Sequence, residues 1–111
     1  MDNKKNDSYY FSKVLSDIAT IKKYLNNETY DQFLNDGKTI DAIMFRMIQI
    51  VENIKNVSKD FKDNHQEISW HKIVGFRNGI VHEYGKTDYS IVYEIITKNL
   101  DELKSIVEKY R

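Results

Sequence analysis

Apolar side chains recur along this chain at helical spacing, and no segment sustains the strict alternation of a strand. Tyr10, Val14, Ile18, Ile21 and Leu25 advance by four, four, three and four positions and mark one face of a first helix. Asp7 or Ser8 is placed to cap it, because a short polar side chain can accept from the free amides of a first turn. Asn26 and Asn27 end it. A short segment over 30–34 follows a cap at Thr29, and Asn35, Asp36 and Gly37 form a turn signal. The second long stripe holds Ile40, Ile43, Met44, Met47, Ile48, Val51, Ile54 and Val57, with Thr39 as its cap. Phe45 and Ile50 lie off that stripe and predict a second buried face. Residues 58–66 are polar and predict a loop or a loose turn. Ser69 opens a third helix through Trp70, Ile73 and Val74, and Gly85 suits the left-handed position that often follows a helix end. Thr87 or Asp88 opens the last helix. Its stripe is Tyr89, Val92, Ile96, Leu100, Leu103, Val107 and Tyr110, widened by Ile91, Ile95 and Ile106.

This pattern predicts an all-α fold, an up-and-down bundle of four main helices with one short extra helix. It reads as a single helical domain over residues 1–111, with residues 1–7 a disordered N-terminus. The stripes on the second and last helices are wider than one small bundle needs, which points to a homodimer.

Composition narrows the function. A chain of 111 residues makes one domain with one modest core. Seventeen basic and seventeen acidic side chains leave no net charge, whereas a nonspecific nucleic-acid binder carries a basic excess. Any RNA contact must then come from a local site or from a surface built by oligomerisation. The absence of cysteine excludes disulfides, cysteine-type zinc sites and thiol nucleophiles. The polar start shows no signal-peptide pattern, and no run approaches the roughly 18 apolar residues of a spanning helix, so a cytoplasmic protein is expected.

The chemistry concentrates in residues 75–85, Gly-Phe-Arg-Asn-Gly-Ile-Val-His-Glu-Tyr-Gly, which hold three of the four glycines. Arg77, Asn78, His82 and Tyr84 place a guanidinium, an amide, an imidazole and a phenol within eight positions. Arginine holds phosphate oxygens in a fork, and histidine moves protons near neutral pH. A site that binds or cuts a phosphodiester needs both. On an ideal helix Asn78 and His82 share a face, but Arg77 and His82, five apart, diverge by about 140°. Either the helix loosens there or a second subunit completes the site. Gly75 and Gly79, four apart, could form a smooth strip for a close backbone approach. Residue types alone also fit a surface arginine, a helix-end histidine and a capping tyrosine.

Elsewhere the signals are weaker. His71 lies eleven positions before His82, about 16 Å along a helix, too far to share a metal within one subunit. With no paired carboxylate cluster, neither a metal nor a cofactor is expected, and His65 and His71 read as surface residues. Arg46, Gln49 and Asn53 fall near one face of the second helix, which base rates favour as solvated. The alternative is that Arg46 or Glu52 faces the cleft and supports Arg77 or His82.

With Trp70 a few residues upstream, the string Arg-Asn-x-x-x-His-x-Tyr resembles the HEPN-domain proteins of the HepT-like group, the toxin half of two-gene toxin–antitoxin modules. The resemblance covers about residues 18–107. It rests on Ile-Lys-Lys-Tyr-Leu at 21–25, Phe-Leu-Asn-Asp at 33–36, residues 46–52, Glu-Ile-Ser-Trp-His-Lys-Ile-Val-Gly-Phe-Arg-Asn at 67–78, His-Glu-Tyr at 82–84 and Thr-Asp-Tyr-Ser-Ile-Val-Tyr-Glu at 87–94. Similar proteins commonly carry prolines near Ser69 and Asp101, where this chain has none. The resemblance implies an α-helical homodimer whose two R-x4-H motifs line a shared cleft and cleave RNA or tRNA without a metal. Arg77 would hold the scissile phosphate, His82 would act as general acid or base, and Asn78 would orient the phosphate or the imidazole. It further implies that an MntA-type nucleotidyltransferase antitoxin transfers AMP to Tyr84 and silences the toxin. A non-catalytic partner that presents nucleotides or substrate to a nucleotidyltransferase, or a plain helical scaffold, are the rival readings.

Overall fold

A computed structural model describes residues 6–76 and 88–110. Helix α1 spans Asp7–Leu25, α2 Tyr30–Leu34, α3 Gly37–Lys55, α4 Lys59–Asp63 and α5 Trp70–Val74. After residue 87, α6 (Tyr89–Glu94), a π-helical turn (Ile95–Asn99) and α7 (Leu100–Val107) follow without a break. The described residues are helical and contain no strand.

Local chemistry sets the ends. Asn6, not Asp7 or Ser8, caps α1, its Oδ1 accepting from the Tyr9 amide at 3.1 Å. Asp7, expected in a disordered N-terminus, instead accepts from the Ser58 amide at 2.8 Å and hydroxyl at 2.6 Å. That leaves it unavailable as a cap and ties the start of α1 to the start of α4. Asn26 and Asn27 end α1 with φ of 47° and 61°, left-handed values that asparagine tolerates better than most residues. Thr29 and Gln32 form a reciprocal capping box on α2. The α3 cap is Asp36, which accepts from the Thr39 amide at 3.2 Å, so Thr39 lies inside the first turn rather than opening it.

The core is where α1, α3 and the C-terminal helical run meet. Ile18 and Ile21 from α1, Ile43, Met47, Ile50 and Ile54 from α3, and Ile95, Ile96, Leu100 and Leu103 are all sealed from solvent. Phe33 closes one end from α2, and Ile73 and Phe76 enter from the α5 side. The π turn is one residue wider than an α turn. Lys22 on α1 reaches into it, donating to the Ile96 carbonyl at 3.1 Å while pairing with Asp101 at 3.0 Å.

Further expectations are corrected. Residues 58–66 are not all loop: Ser58 caps the short α4, whose Phe61 packs against Phe11, Trp70, Tyr110 and the face of His65. One partly buried ring docks a single turn, and a single turn is too short to show periodicity. His65 is therefore part of an aromatic cluster, while His71 is exposed as expected. On α3, Ile50 does form a second buried face, but Phe45 is 56% exposed and Ile48, on the expected stripe, 39%. α3 packs on α1, α2 and α5, and those contacts leave Phe45 and Ile48 open to solvent. Asn53, placed on a solvated face, is buried, its amide donating to the Gln49 carbonyl at 3.0 Å.

Candidate active site

Arg77, Asn78, His82 and Tyr84, the four residues singled out for chemistry, lie outside the described residues, as do Gly79, Gly85 and Thr87. The structure shows what brackets them. On the N-terminal side, α5 ends at Gly75, and Phe76, directly before Arg77, is sealed in the core. On the C-terminal side, Asp88 caps α6, its side chain accepting from the amides of Ser90 and Ile91. The two bracketing helices are tied together where Lys72 Nζ meets Glu94 Oε1 at 2.6 Å. That donated bond, with the ammonium charge behind it, holds the Glu94 carboxyl below the usual glutamate range.

Gly75 has a local reason of its own. A Cβ built there would lie 2.7 Å from the His71 carbonyl oxygen, one turn back in the same segment. The backbone is drawn in by the Gly75 amide, which donates to that carbonyl at 2.8 Å. The room for a side chain at this glycine is thus taken by its own chain.

Arg46 and Glu52 point in different directions. Arg46 Nη1 lies 3.1 Å from Asp17 Oδ1, and hydrogen bonds to Tyr24 and Asp17 raise the guanidinium above its ordinary value. Glu52 is exposed and pairs with Lys55 at 3.6 Å. Asp17 went unremarked in the sequence, although a signal was there. It sits three residues after Val14 and four before Ile21, on the flank of a buried stripe, and is only 7% exposed. A carboxylate in that place requires a partner. The pair lies at one wall of a polar groove of about 640 Å³ between α1 and α3, where Ser8, Ser12 and Ser16 follow one another at four-residue spacing beside Lys13 and Gln49.

His65 is fully engaged. Its Nδ1 lies 2.9 Å from the Phe61 carbonyl, which can only accept, so Nδ1 carries the hydrogen. In the neutral ring Nε2 then accepts from the Tyr110 hydroxyl at 3.1 Å. The ring stacks on Phe61 with centroids 4.1 Å apart. Tyr110 reaches this cluster from a half-exposed position instead of the core position its spacing suggested. Among the described residues no group of three histidines, acids or cysteines is arranged to hold a metal. None of the described helices is long and apolar enough to cross a membrane.

Comparison with known proteins identifies the family. Residues 14–110 match the family described as Ribonuclease HepT-like. A Thermococcus cleftensis protein named "Probable ribonuclease HepT" is 28% identical, over 97% of this chain and 98% of its own length. A "Putative RNase" of Caldanaerobacter subterraneus subsp. tengcongensis is 27% identical, over 90% of this chain and 89% of its own. A Methanocaldococcus jannaschii "Putative RNase" is 27% identical over 95% of this chain and 88% of its own. No solved structure matches the chain. An all-helical fold and a family match over most of its length together mean that this chain belongs to the HepT-like ribonuclease family.

Proposed function

We propose that this protein is a metal-independent endoribonuclease whose site pairs Arg77 and His82 at the cleft of a homodimer. The observation that carries this reading is the string Arg77-Asn78-x-x-x-His82-x-Tyr84 inside a chain of a ribonuclease family. Arg77 binds the scissile phosphate and offsets the charge that builds on it in the transition state. The ribose 2′-oxygen attacks phosphorus, its proton passes to an imidazole, and the 5′-oxygen leaves with a proton, giving a 2′,3′-cyclic phosphate and a free 5′-hydroxyl. In a dimer, two copies of His82 supply the base and the acid. Asn78 orients the phosphate or the ring. The exposed Phe45–Ile48 face on α3 supports self-association, since apolar side chains at adjacent turns favour a partner over water.

In this reading the protein is the toxin of a type VII-like toxin–antitoxin module. An MntA-type nucleotidyltransferase silences it: the Tyr84 phenol attacks the α-phosphorus of ATP, loses its proton and releases pyrophosphate. The AMP phosphate left on Tyr84 competes for Arg77. The second reading, a non-catalytic nucleotide- or substrate-binding partner of a nucleotidyltransferase, draws its support from the zero net charge.

One assay separates the two. Purified protein is mixed with total RNA or tRNA in EDTA, beside Arg77→Ala and His82→Ala. Cleavage by the parent chain, falling by about 10²–10⁴-fold in His82→Ala, is expected of the nuclease. No cleavage together with tight binding to a nucleotidyltransferase sinks it in favour of the second reading. Incubation with the nucleotidyltransferase and ATP should add the mass of AMP to the parent chain and not to Tyr84→Phe.

A further inference from the structure

We infer that the cleft between α4 and α5 is a nucleotide subsite, seating one base of a single-stranded RNA against Trp70 and its phosphate on Lys62. The inference takes the class of nucleic acid from the ribonuclease reading and its geometry from the cleft itself. The cleft measures about 400 Å³, and Lys62, Gln66, Ser69, Trp70 and His71 line it.

Three features fit a nucleotide. The first is a preset ring. Trp70 Nε1 donates to the His65 carbonyl at 3.0 Å, and its ring meets Phe61 edge-on with centroids 6.1 Å apart. The half-buried indole is thus fixed by its polar edge before any ligand arrives, and an aromatic surface held this way stacks a base with little loss of freedom. The second is a cation without a close ion pair. Lys62 is half-buried and makes no ion pair among the described residues; burial pushes its ammonium below the usual lysine range, and the charge of Asp7, whose oxygens are taken up by the Ser58 amide and hydroxyl, offsets that only in part. The carboxylate nearest in sequence, Asp63, also lines the cleft and would repel a phosphate, but Lys59 holds it at 2.7 Å. The third is uncommitted polarity. The Ser69 side chain makes no cap bond to α5, and His71 stands exposed at the rim.

The charge balance of the whole chain gives the cleft a purpose. With seventeen positive and seventeen negative side chains, long-range attraction cannot hold a polyanion, so the grip must come from discrete contacts such as stacking. The cleft also stands on the segment that leads into the proposed site, with Trp70 seven residues before Arg77.

Trp70 is the only tryptophan in the chain, so its fluorescence reports on this cleft alone. The full chain is titrated with a single-stranded RNA oligomer whose riboses are 2′-O-methylated, which removes the attacking hydroxyl, and in parallel with AMP. Saturable quenching by the oligomer is expected, weakened about tenfold or more in Lys62→Met. Trp70→Leu, read by the anisotropy of a labelled oligomer, should weaken binding by a similar factor. Absent quenching, or quenching and anisotropy untouched by Lys62→Met and Trp70→Leu, overturns the subsite. Tighter binding of AMP than of the oligomer overturns its assignment to RNA. Unmodified RNA given to the same preparation keeps the two claims apart: cleavage without quenching removes the subsite and spares the nuclease, and quenching without cleavage does the reverse.

Discussion

Lys72 and Glu94 meet at 2.6 Å, nitrogen to oxygen, and join the helix that precedes residues 77–87 to the helix that follows them. Both ends of the segment proposed to carry Arg77 and His82 are thereby held in one frame. The pair is partly exposed and its energy is screened by water. Its consequence is positional more than energetic.

The tie makes a signed prediction for pH. Glu94 is held below its ordinary value by the Lys72 bond. Its contribution is therefore complete above the unfolded glutamate value of about 4.3 and fades as pH falls through the lower folded value. Denaturant melts of the parent chain and Glu94→Gln should differ at pH 7 and converge in acid. A gap that widens on acidification would show that the carboxylate is not held by Lys72.

Gly75→Ala should destabilise the fold by about 1–3 kcal/mol, because its new methyl meets a backbone oxygen that cannot rotate away. Cleavage should fall as well, since the shift needed to relieve the clash moves the segment leading to Arg77. Thermal melts and RNA cleavage on the same preparation check both, and an unchanged melting temperature would remove the local account of this glycine.

Phe45→Glu places a charge on the exposed face of α3. If that face joins two copies, sedimentation should show a monomer, with cleavage lost and helicity retained. A dimer that survives the charge locates the contact elsewhere.

Arg46→Met breaks the pairing with Asp17 and leaves a buried carboxylate without its partner. The melting temperature should drop while cleavage per folded molecule stays unchanged, because Arg46 is bound to α1. A loss of cleavage with a normal melt would instead give Arg46 the supporting role that its position on the second helix first suggested.

Phe33→Ala tests the core. Phe33 is fully buried from a helix of only five residues, so truncation leaves a void that so short an element cannot refill. A loss of about 3–5 kcal/mol is expected in denaturant melts.

Much of this architecture could be read directly from residue order. The stripes from Val14 to Leu25, from Ile40 to Ile54 and from Val92 to Val107 all fall in helices, with Val57 just past the end of α3, and Thr29 and Asp88 cap where they were expected to. These features are local: a helix repeats every 3.6 residues and its caps act within one turn, so neighbours in sequence carry the signal. The Arg77–Tyr84 string and the family it indicates were likewise legible from order alone. Tertiary structure decided what depends on distant partners. It covered Ile50 and left Phe45 open, set Arg46 against Asp17 twenty-nine residues away, and joined Lys72 to Glu94 twenty-two residues on. It also recruited Phe61 from a polar stretch to organise His65, Trp70 and Tyr110. Periodicity states that a helix has an apolar face, but only packing chooses which neighbour covers it, because burial is won by whichever surfaces the whole chain can bring together.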